Sequence, residues 1–162
     1  MQSIINKYLI LDACEPQVLT VSADKTAKVW DIMEDGNGKL NRTLGSPGSG
    51  GVEDMLVGCL WQNDQLVVVS LGGTISVFSA SEPDKPPTSF SGHMKGTNGL
   101  TCFVQNGNKV ILTSSYDGVI SRWTPGIGYS GKLQRKDTVQ IKCFAAVEQD
   151  VITSGFDNKV SN

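Results

Sequence analysis

The sequence predicts an all-β protein of repeated four-stranded antiparallel sheets, and three observations predict it. Four segments of the 162-residue chain share one pattern, in which an apolar, β-branched run leads through a tight turn into an alternating run. The turns recur at intervals of 48, 45 and 40 residues. The 18 glycines and six prolines favour many turns over long helices. A period of about 40–45 residues with four strands is typical of a β-propeller blade.

Each repeat centres on a predicted hairpin. The four hairpin segments align without gaps, apart from one extra residue at the start of the third; they are residues 17–30, 65–78, 109–123 and 150–162. The turn residues are of types that tolerate the positive φ of tight hairpins, namely Asp24 and Lys25, Gly72 and Gly73, Asp117 and Gly118, and Asp157 and Asn158. An aromatic residue follows the first three turns at the same distance: Trp30, Phe78 and Trp123. The fourth would fall at position 163, so we expect the chain to stop inside a repeat.

Two further strands complete each repeat. Apolar strands are predicted before the hairpins at residues 55–61, 100–104 and 139–145, and more polar strands after them at residues 39–44, 87–91 and 130–135. Three of the four cysteines, Cys59, Cys102 and Cys143, lie in the preceding strands. We therefore expect the cysteines, Cys14 included, to be small buried residues rather than disulfide partners.

These features resemble the WD-repeat family. Trp30-Asp31 matches the dipeptide that names the family, Gly92-His93 matches its glycine–histidine pair, and Asp24, Asp117 and Asp157 match its turn aspartate. The resemblance implies a hydrogen-bonded stack in the third repeat, formed by His93, a strand hydroxyl of Thr113 or Ser115, Asp117 and Trp123. The first repeat lacks the histidine, and the second lacks the aspartate, the histidine and the tryptophan, with Phe78 in place of the last.

A closer resemblance is to the plant branch of the actin-interacting protein 1 family. It is carried by residues 48–71 (GSGGVEDMLVGCLWQNDQLVVVSL), with residues 22–32, 91–96 and 126–134 in support. That family has two seven-bladed propellers. The resemblance implies binding to actin filaments together with cofilin-type depolymerising factors, to promote filament disassembly. The first 15 residues do not look like the family's strand that leads into the first repeat.

The repeat boundaries give an organisation for the whole chain. We expect an atypical N-terminal segment (1–16), a partial first repeat (17–46), a degenerate second repeat (47–90), a third repeat (91–136) and a truncated fourth repeat (137–162). At a period of about 45 residues, the chain amounts to about 3.6 blades. A propeller needs roughly 4 to 8 blades, so the predicted propeller is partial and not closed. Its free sheet edges would favour edge-to-edge self-association.

Charge and hydropathy narrow the class of partner. The net charge of −2 argues against nucleic acid and anionic membranes, which require a concentrated basic surface. A basic cluster of Lys132, Arg135, Lys136 and Lys142 is offset by Asp137, which favours a solvated strand. No apolar run is long enough for a signal peptide or a membrane span, so we expect a soluble intracellular protein. The resemblance to the actin-interacting protein 1 family implies a location in the cytoplasm, at the cytoskeleton.

Candidate chemistry is sparse. Residues 126–131 satisfy G-x-G-x-x-G, but an alternating run rather than a helix follows, which favours a blade connection over a nucleotide site. The glycine-rich residues 45–51 lack the ending of a phosphate-binding loop, and the adjacent Glu53 and Asp54 are expected on a solvated face. His93, the single histidine, is assigned to the stack rather than to catalysis. We expect a non-enzymatic protein-interaction module without metal or cofactor; a scaffold or adaptor of ubiquitin-ligase or signalling complexes, with no actin role, is the alternative.

Overall fold

The structure, a computed structural model, describes residues 5–10, 16–45, 48–93, 95–105, 107–124, 128–134, 140–147, 150–157 and 159–161. The described strands form four separate antiparallel sheets, which we call sheets A to D. Neighbouring strands in each sheet are consecutive in the sequence, as meander connections require. The predicted all-β architecture of four-stranded blades without closure is confirmed. The chain divides into two compact units, Met1–Leu71 with Ile75–Ser89 and Gly72–Thr74 with Phe90–Asn162.

The first unit holds sheets A and B. Sheet A contains β1 (Ile5–Ile10), β2 (Gln17–Ser22), β3 (Thr26–Ile32) and β4 (Gly38–Gly45). A short 3-10 helix (Val52–Asp54) precedes sheet B, which contains β5 (Leu56–Gln62), β6 (Gln65–Ser70), β7 (Ile75–Ser79) and β8 (Thr88–Phe90). Alternating apolar residues of both sheets pack into one core because the side chains of a strand point alternately to its two faces. The buried members of this core include Leu19, Val21, Val29, Leu56, Leu66 and Val68.

The second unit holds sheets C and D. Sheet C contains β9 (Thr97–Gln105), β10 (Asn108–Ser115), β11 (Val119–Thr124) and β12 (Gly128–Gln134). Sheet D contains β13 (Ile141–Val147), β14 (Asp150–Gly155) and β15 (Val160–Ser161). A second apolar core joins the two sheets through Val110, Leu112, Ile120 and Ile141, with Phe144 packed against them. Burying such side chains contributes roughly 1.5–3 kcal/mol each relative to exposure.

Asn98 adds a polar link between sheets C and D. Its side-chain amide donates to the backbone carbonyl of Ile141, and its Oδ1 accepts a hydrogen bond from Ser114 Oγ at 2.7 Å. The neighbouring Gly99 allows the close approach, since a Cβ there would lie 2.5 Å from Ser114 Oγ and 2.7 Å from the Phe144 ring. Asn98 therefore aligns the first strands of two consecutive sheets through one side chain.

The N-terminal segment contributes a strand to the first sheet. The sequence sets residues 1–16 apart from the first repeat, whereas the structure pairs β1 with β2 from Ile5↔Ser22 to Ile10↔Val18. Sheet A therefore has four strands, like sheets B and C. Cross-strand pairing supplies the backbone partners that β2 needs on its second side, so an unusual sequence can still fill this position.

The hairpin turns differ in detail from the expectation. Positive φ occurs at the second residue of the first three turn pairs: +72° at Lys25, +90° at Gly73 and +81° at Gly118. The Lys25 amide donates to the Ser22 carbonyl at 3.1 Å, which defines a turn followed by one left-handed residue. The turn aspartates are thus selected for the hydrogen bonds of their carboxylates rather than for positive φ.

The cysteines do not share one environment, which corrects the expectation of uniform burial. Cys59 is 3% exposed, Cys102 is half-buried and Cys143 is exposed. Cys59 pairs with Val68, four residues before its turn, whereas Cys143 pairs with Ser154, three residues before its turn. A shift of one residue moves a side chain to the opposite sheet face, and this explains the exposure of Cys143.

Among the described residues, no helix has the length and apolarity needed to cross a membrane.

Candidate functional site

A hydrogen-bonded stack lies on sheet C, at the residues that the sequence singles out in the third repeat. Trp123 on β11 is 1% exposed, and its indole Nε1–H donates to Thr113 Oγ1 on β10 at 2.8 Å. The register pairs Thr113 with Ser121, two residues from Trp123, so the indole and the hydroxyl are diagonal neighbours on one sheet face. A buried indole N–H needs such an acceptor because an unmade hydrogen bond is costly away from water.

His93 connects this pair to the hairpin turn. Its side chain is 0% exposed, with Nε2 at 2.6 Å from Thr113 Oγ1 and Nδ1 at 3.4 Å from Asp117 Oδ2. His93 precedes β9 in the chain, so the imidazole reaches across the sheet to contact residues of β10 and of the β10–β11 turn. The stack therefore ties the segment that enters sheet C to its central hairpin.

The donors and acceptors assign a direction to this network. Thr113 Oγ1 accepts from Trp123, so its own proton is free to donate to His93 Nε2. A neutral imidazole with its proton on Nδ1 then donates to Asp117 Oδ2. In this chain of hydrogen bonds from Trp123 through Thr113 and His93 to Asp117, each donated hydrogen has one acceptor. The neutral tautomer of His93 with its proton on Nδ1 is the one that satisfies all three bonds.

Burial lowers the pKa of His93 from its ordinary value, although the nearby Asp117 carboxylate opposes the shift. Desolvation penalises the charged form of a buried imidazole. Protonation would also place a hydrogen on Nε2, and the Thr113 hydroxyl would then lose its acceptor. Both effects favour the neutral ring at physiological pH.

Ser115, the other candidate hydroxyl of the predicted stack, lies at the turn and is not bonded to the tryptophan. Its Oγ donates to the Lys95 carbonyl at 2.9 Å and accepts from the Asp117 amide at 3.2 Å. Asp117 Oδ1 in turn accepts from the Val119 amide at 2.9 Å. The carboxylate of Asp117 therefore accepts a backbone hydrogen bond on one oxygen and faces His93 with the other.

Close packing around Trp123 explains the glycine before His93. A Cβ at Gly92 would lie 2.7 Å from the indole ring, so any larger residue would displace the tryptophan. Phe90 and Tyr129 also contact the indole, with ring centroids at 6.3 Å and 5.6 Å. These separations are in the range of favourable aromatic pairs.

Sheet A holds a reduced form of the stack. Trp30 Nε1 donates to Thr20 Oγ1 at 2.9 Å, and the Thr20 hydroxyl lies 3.4 Å from the Lys28 carbonyl in place of a histidine. Asp24 Oδ1 accepts from the amide and the hydroxyl of Thr26 at 2.9 and 2.7 Å. The hydroxyl bond of Thr26, more than any other contact, lowers the pKa of Asp24.

Asp31, the second residue of the tryptophan–aspartate dipeptide, links three strands of sheet A. It accepts from Gln17 Nε2 on β2 at 2.7 Å and from Asn41 Nδ2 on β4 at 3.0 Å. The bonds from Asn41 and then Gln17 lower the pKa of its carboxyl group. Asp31 thus links neighbouring strands of sheet A and is not part of the hydrogen-bonded stack.

Sheet B replaces both partners of the indole bond with apolar groups. Val68 lies where Thr20 and Thr113 lie in the other sheets, ten residues before the buried Phe78. Phe78 has no N–H to donate, and Val68 at the threonine position has no hydroxyl to accept one. Replacing both partners of a buried hydrogen bond by apolar groups can be almost neutral, which explains why threonine and tryptophan are lost together. The aligned hairpin sequences carry this paired replacement as a signal, with Val68 and Phe78 at the positions of threonine and tryptophan.

Asp157 occupies the turn position of sheet D. Its Oδ1 accepts from the Lys159 amide at 3.3 Å, in the manner of the other two turn aspartates. Four residues before it, Thr153 is buried on β14. Asn158, the second residue of this turn, lies outside the described residues.

The glycine-rich segment before sheet B corrects a second expectation, because Asp54 is buried rather than solvated. Its Oδ2 accepts from the backbone amides of Gly50 and Gly51 at 2.7 and 3.1 Å. A Cβ at Gly48 would lie 2.0 Å from the Asp54 carboxylate, which explains the run of glycines. Glu53 alone is exposed, as expected.

The other sequence motifs form no chemical site among the described residues. Gly128 to Gly131 begin β12, which pairs with β11, and the G-x-G-x-x-G segment therefore leads into a strand rather than a helix. Lys132 and Lys142 are exposed. The described part of the chain has no group of three or more metal-ligating side chains. The remaining residues of these motifs lie outside the described residues: Pro125, Gly126, Ile127, Arg135, Lys136 and Asp137. Cys14 also lies outside them.

Comparison with known proteins confirms the repeat type. A family model described as WD domain, G-beta repeat, matches residues 84–124, which contain His93, Thr113, Asp117 and Trp123. Among solved structures, the WD40 β-propeller domain of Doa1 has a TM-score of 0.77 at 19% identity, covering 96% of this chain and 49% of that chain. At this identity the similarity shows the fold alone.

Two curated relatives are similar over most of the chain. Actin-interacting protein 1-2 of Arabidopsis thaliana is 62% identical over 135 residues, which make up 83% of this chain and 22% of the relative. Actin-interacting protein 1 of Drosophila melanogaster is 34% identical over 147 residues, which make up 89% of this chain and 23% of the relative. The chain thus spans less than a quarter of the length of either relative.

The indole bond can be tested by a double-mutant cycle. Thr113→Val should destabilise the protein by about 1–3 kcal/mol, because the buried Trp123 N–H and His93 Nε2 lose their partner. In combination with Trp123→Phe the loss should be smaller than the sum of the single losses, by about 1 kcal/mol in urea unfolding. Thr113→Val combined with Trp30→Phe is the matched control and should be additive. Equal coupling in both cycles would contradict the proposed bond.

Stability should depend on pH through His93. The unfolded chain binds a proton near the ordinary histidine pKa, about 6.5, whereas the folded chain does so only at lower pH. The contribution of His93 to the free energy of unfolding is then fully present above about pH 7. It declines as the pH falls toward 5, by at most about 1.4 kcal/mol per pH unit. Urea unfolding between pH 5 and 8 measures this slope. His93→Gln should remove it, and a stability that rises on acidification would refute the assignment.

Proposed function

Because this chain is a WD-repeat β-propeller segment that resembles actin-interacting protein 1, we propose that it is a non-enzymatic interaction module that binds actin filaments. The observation that carries the proposal is the 62% identity to Actin-interacting protein 1-2 over 83% of the chain. The name of the Drosophila relative supports the same class of partner at lower identity.

The described chemistry supports a binding rather than a catalytic role. His93, the single histidine, has both ring nitrogens engaged by Thr113 and Asp117 in a buried network. A general base needs access to a substrate proton, which a fully buried imidazole lacks. We propose that the stack of His93, Thr113, Asp117 and Trp123 serves to hold the third repeat rigid, so that exposed loops present fixed contact groups.

The finer proposal is that binding assists filament disassembly by cofilin-type depolymerising factors, at the actin cytoskeleton in the cytoplasm. It rests on the resemblance of residues 48–71 and on the similarity to the two curated relatives. Exposed sheet edges would in addition permit edge-to-edge self-association. The WD repeat by itself is equally compatible with a scaffold or adaptor that has no actin role.

Co-sedimentation with filamentous actin tests the proposal. The full 162-residue chain should pellet with filaments in a saturable manner, and it should increase the unpolymerised actin in the supernatant when cofilin is present. A dose series with cofilin alone provides the reference for disassembly. A Lys132→Glu chain controls for nonspecific charge attraction, since Lys132 is an exposed residue of the offset basic cluster.

Three outcomes are informative. Pelleting with enhanced disassembly supports the whole proposal, whereas pelleting without enhancement supports actin binding and contradicts the cofilin step. A chain that shows a cooperative unfolding transition but neither pellets nor enhances disassembly contradicts the actin role and favours the scaffold alternative.

A further inference from the structure

A serine pattern that suits acid-directed protein kinases occurs four times in the sequence, and the structure distinguishes the four. In this pattern an acidic residue lies three positions after the serine, where it meets the basic substrate groove of such a kinase. The four serines are Ser79, Ser81, Ser114 and Ser154. A kinase also needs an exposed segment, because the serine hydroxyl must reach its active site. The environment of each hydroxyl therefore decides which serine can react.

Two of the four serines lie within strands of the second unit. Ser114 is 0% exposed on β10, and its Oγ donates to Asn98 Oδ1 at 2.7 Å. Ser154 is half-buried on β14, with its Oγ at 3.0 Å from Cys143 Sγ. Both are paired on each side by neighbouring strands. A kinase could bind either segment only after the sheet had opened.

The third serine, Ser79, is held by its own surroundings at the end of β7. It is half-buried. Its Oγ donates to Asp64 Oδ2 at 2.8 Å and accepts from the Glu82 amide at 2.9 Å. The hydroxyl of Ser79 thus has both a donor and an acceptor in the fold, and phosphorylation would require both bonds to break first.

Ser81 differs from the other three in its exposure. It begins a stretch of six exposed residues, 81–86, in the loop between β7 and β8. Two acidic residues follow it, Glu82 at the next position and Asp84 at the third. The Lys85 amide donates to the Glu82 carbonyl at 3.1 Å, so this loop forms a turn outside the sheet. Ser81 is therefore the serine that combines the acidic pattern with an accessible segment.

Asp64, in the turn between β5 and β6, holds the start of this loop. Its Oδ1 accepts from the Ser81 amide at 2.6 Å, and its backbone carbonyl accepts from the Ala80 amide at 2.7 Å. Hydrogen bonds from Ser79 and then Ser81 lower the pKa of the Asp64 carboxyl group, so it is charged at neutral pH. Asp64 and the loop both belong to the first unit. A negative group on Ser81 would therefore lie beside a negative carboxylate.

The cations of this region already have acceptors. Lys85 Nζ lies 2.7 Å from Glu82 Oε2, and Arg42 Nη2 donates to the Ser79 carbonyl at 3.3 Å. Lys85 and Glu82 are exposed, so their attraction is screened by water. Repulsion between Asp64 and a new negative charge on Ser81 would thus compete with cations that are engaged elsewhere.

We propose that Ser81 is a phosphorylation site for an acid-directed serine/threonine kinase, and that the phosphate releases residues 80–87 from Asp64. Ser81 Oγ forms a bond to the γ-phosphorus of ATP, and the bond from this phosphorus to the departing ADP oxygen breaks. The hydroxyl proton passes to the catalytic aspartate of the kinase. The phosphate carries a charge of about −1.5 to −2 at neutral pH, and its repulsion by Asp64 opposes the hydrogen bond to the Ser81 amide.

Incubation of the full chain with MgATP and casein kinase 2, a kinase that selects acidic substrates, tests the site. Mass spectrometry should find one phosphate, on Ser81. Ser81→Ala should abolish its uptake, whereas Ser79→Ala, the matched control, should retain it. Glu82→Gln with Asp84→Asn should slow the reaction by about tenfold, because two charge contacts with the kinase are lost. The assay contains no actin, so its outcome is independent of the actin proposal.

Amide hydrogen exchange tests the release of the loop. Residues 80–87 should exchange faster in the phosphorylated chain than in the unmodified chain, because the Ser81 amide loses its acceptor. In an Asp64→Asn chain the loop lacks the charged acceptor, so phosphorylation should change the exchange much less. Exchange in β10 should be the same in all samples and serves as the internal reference.

Three results would overturn the proposal. The first is the absence of phosphate on Ser81 in a chain that unfolds cooperatively; a peptide of residues 76–88 then shows whether the fold or the sequence prevents the reaction. The second is a phosphate mainly on another serine, with uptake unchanged in Ser81→Ala. The third is unchanged exchange of residues 80–87 after complete phosphorylation, which would contradict the release from Asp64.

Discussion

The hydrogen bond from the buried Trp123 indole to the Thr113 hydroxyl is the constraint that organises the third repeat. The large indole fills the space between sheet C and the segment that enters it, but its N–H needs an acceptor there. The threonine that accepts this bond is itself buried, so its hydroxyl proton also needs an acceptor, and the imidazole of His93 provides it. The imidazole proton then requires Asp117. Each residue of the stack is thus demanded by the one before it.

The other repeats lack some of the residues of this hydrogen-bonded stack, and their structures differ accordingly. Sheet A keeps the indole and the threonine, and the Thr20 hydroxyl turns toward the Lys28 carbonyl because no histidine is available. Sheet B has neither the threonine nor the tryptophan, and Val68 and Phe78 occupy their positions. The hairpin persists in all three sheets, so strand pairing and apolar burial establish the blade. In sheet C the complete stack adds side-chain hydrogen bonds to this framework.

The strand order and the aromatic positions could be predicted because they depend on local alternation and on turn residues. The contribution of residues 5–10 to sheet A could not, since pairing with β2 is a nonlocal event that leaves no local pattern. The exposure of Cys143 was missed for a related reason: a register shift of one residue reverses its face. Asp54 beside glycines suggested a solvated loop, whereas the backbone amides of Gly50 and Gly51 fold over the carboxylate.

The choice of Thr113 over Ser115 as the central hydroxyl also required the structure, because both lie on β10 and both are buried. The deciding factor is the diagonal relation of Thr113 to Trp123 on one sheet face. The nitrogen-15 chemical shifts of the single imidazole at neutral pH test this account most directly. It predicts a neutral His93 ring with its proton on Nδ1 and an acceptor nitrogen at Nε2. A proton on Nε2, or a charged ring, would contradict the direction of the network and with it the role assigned to Thr113.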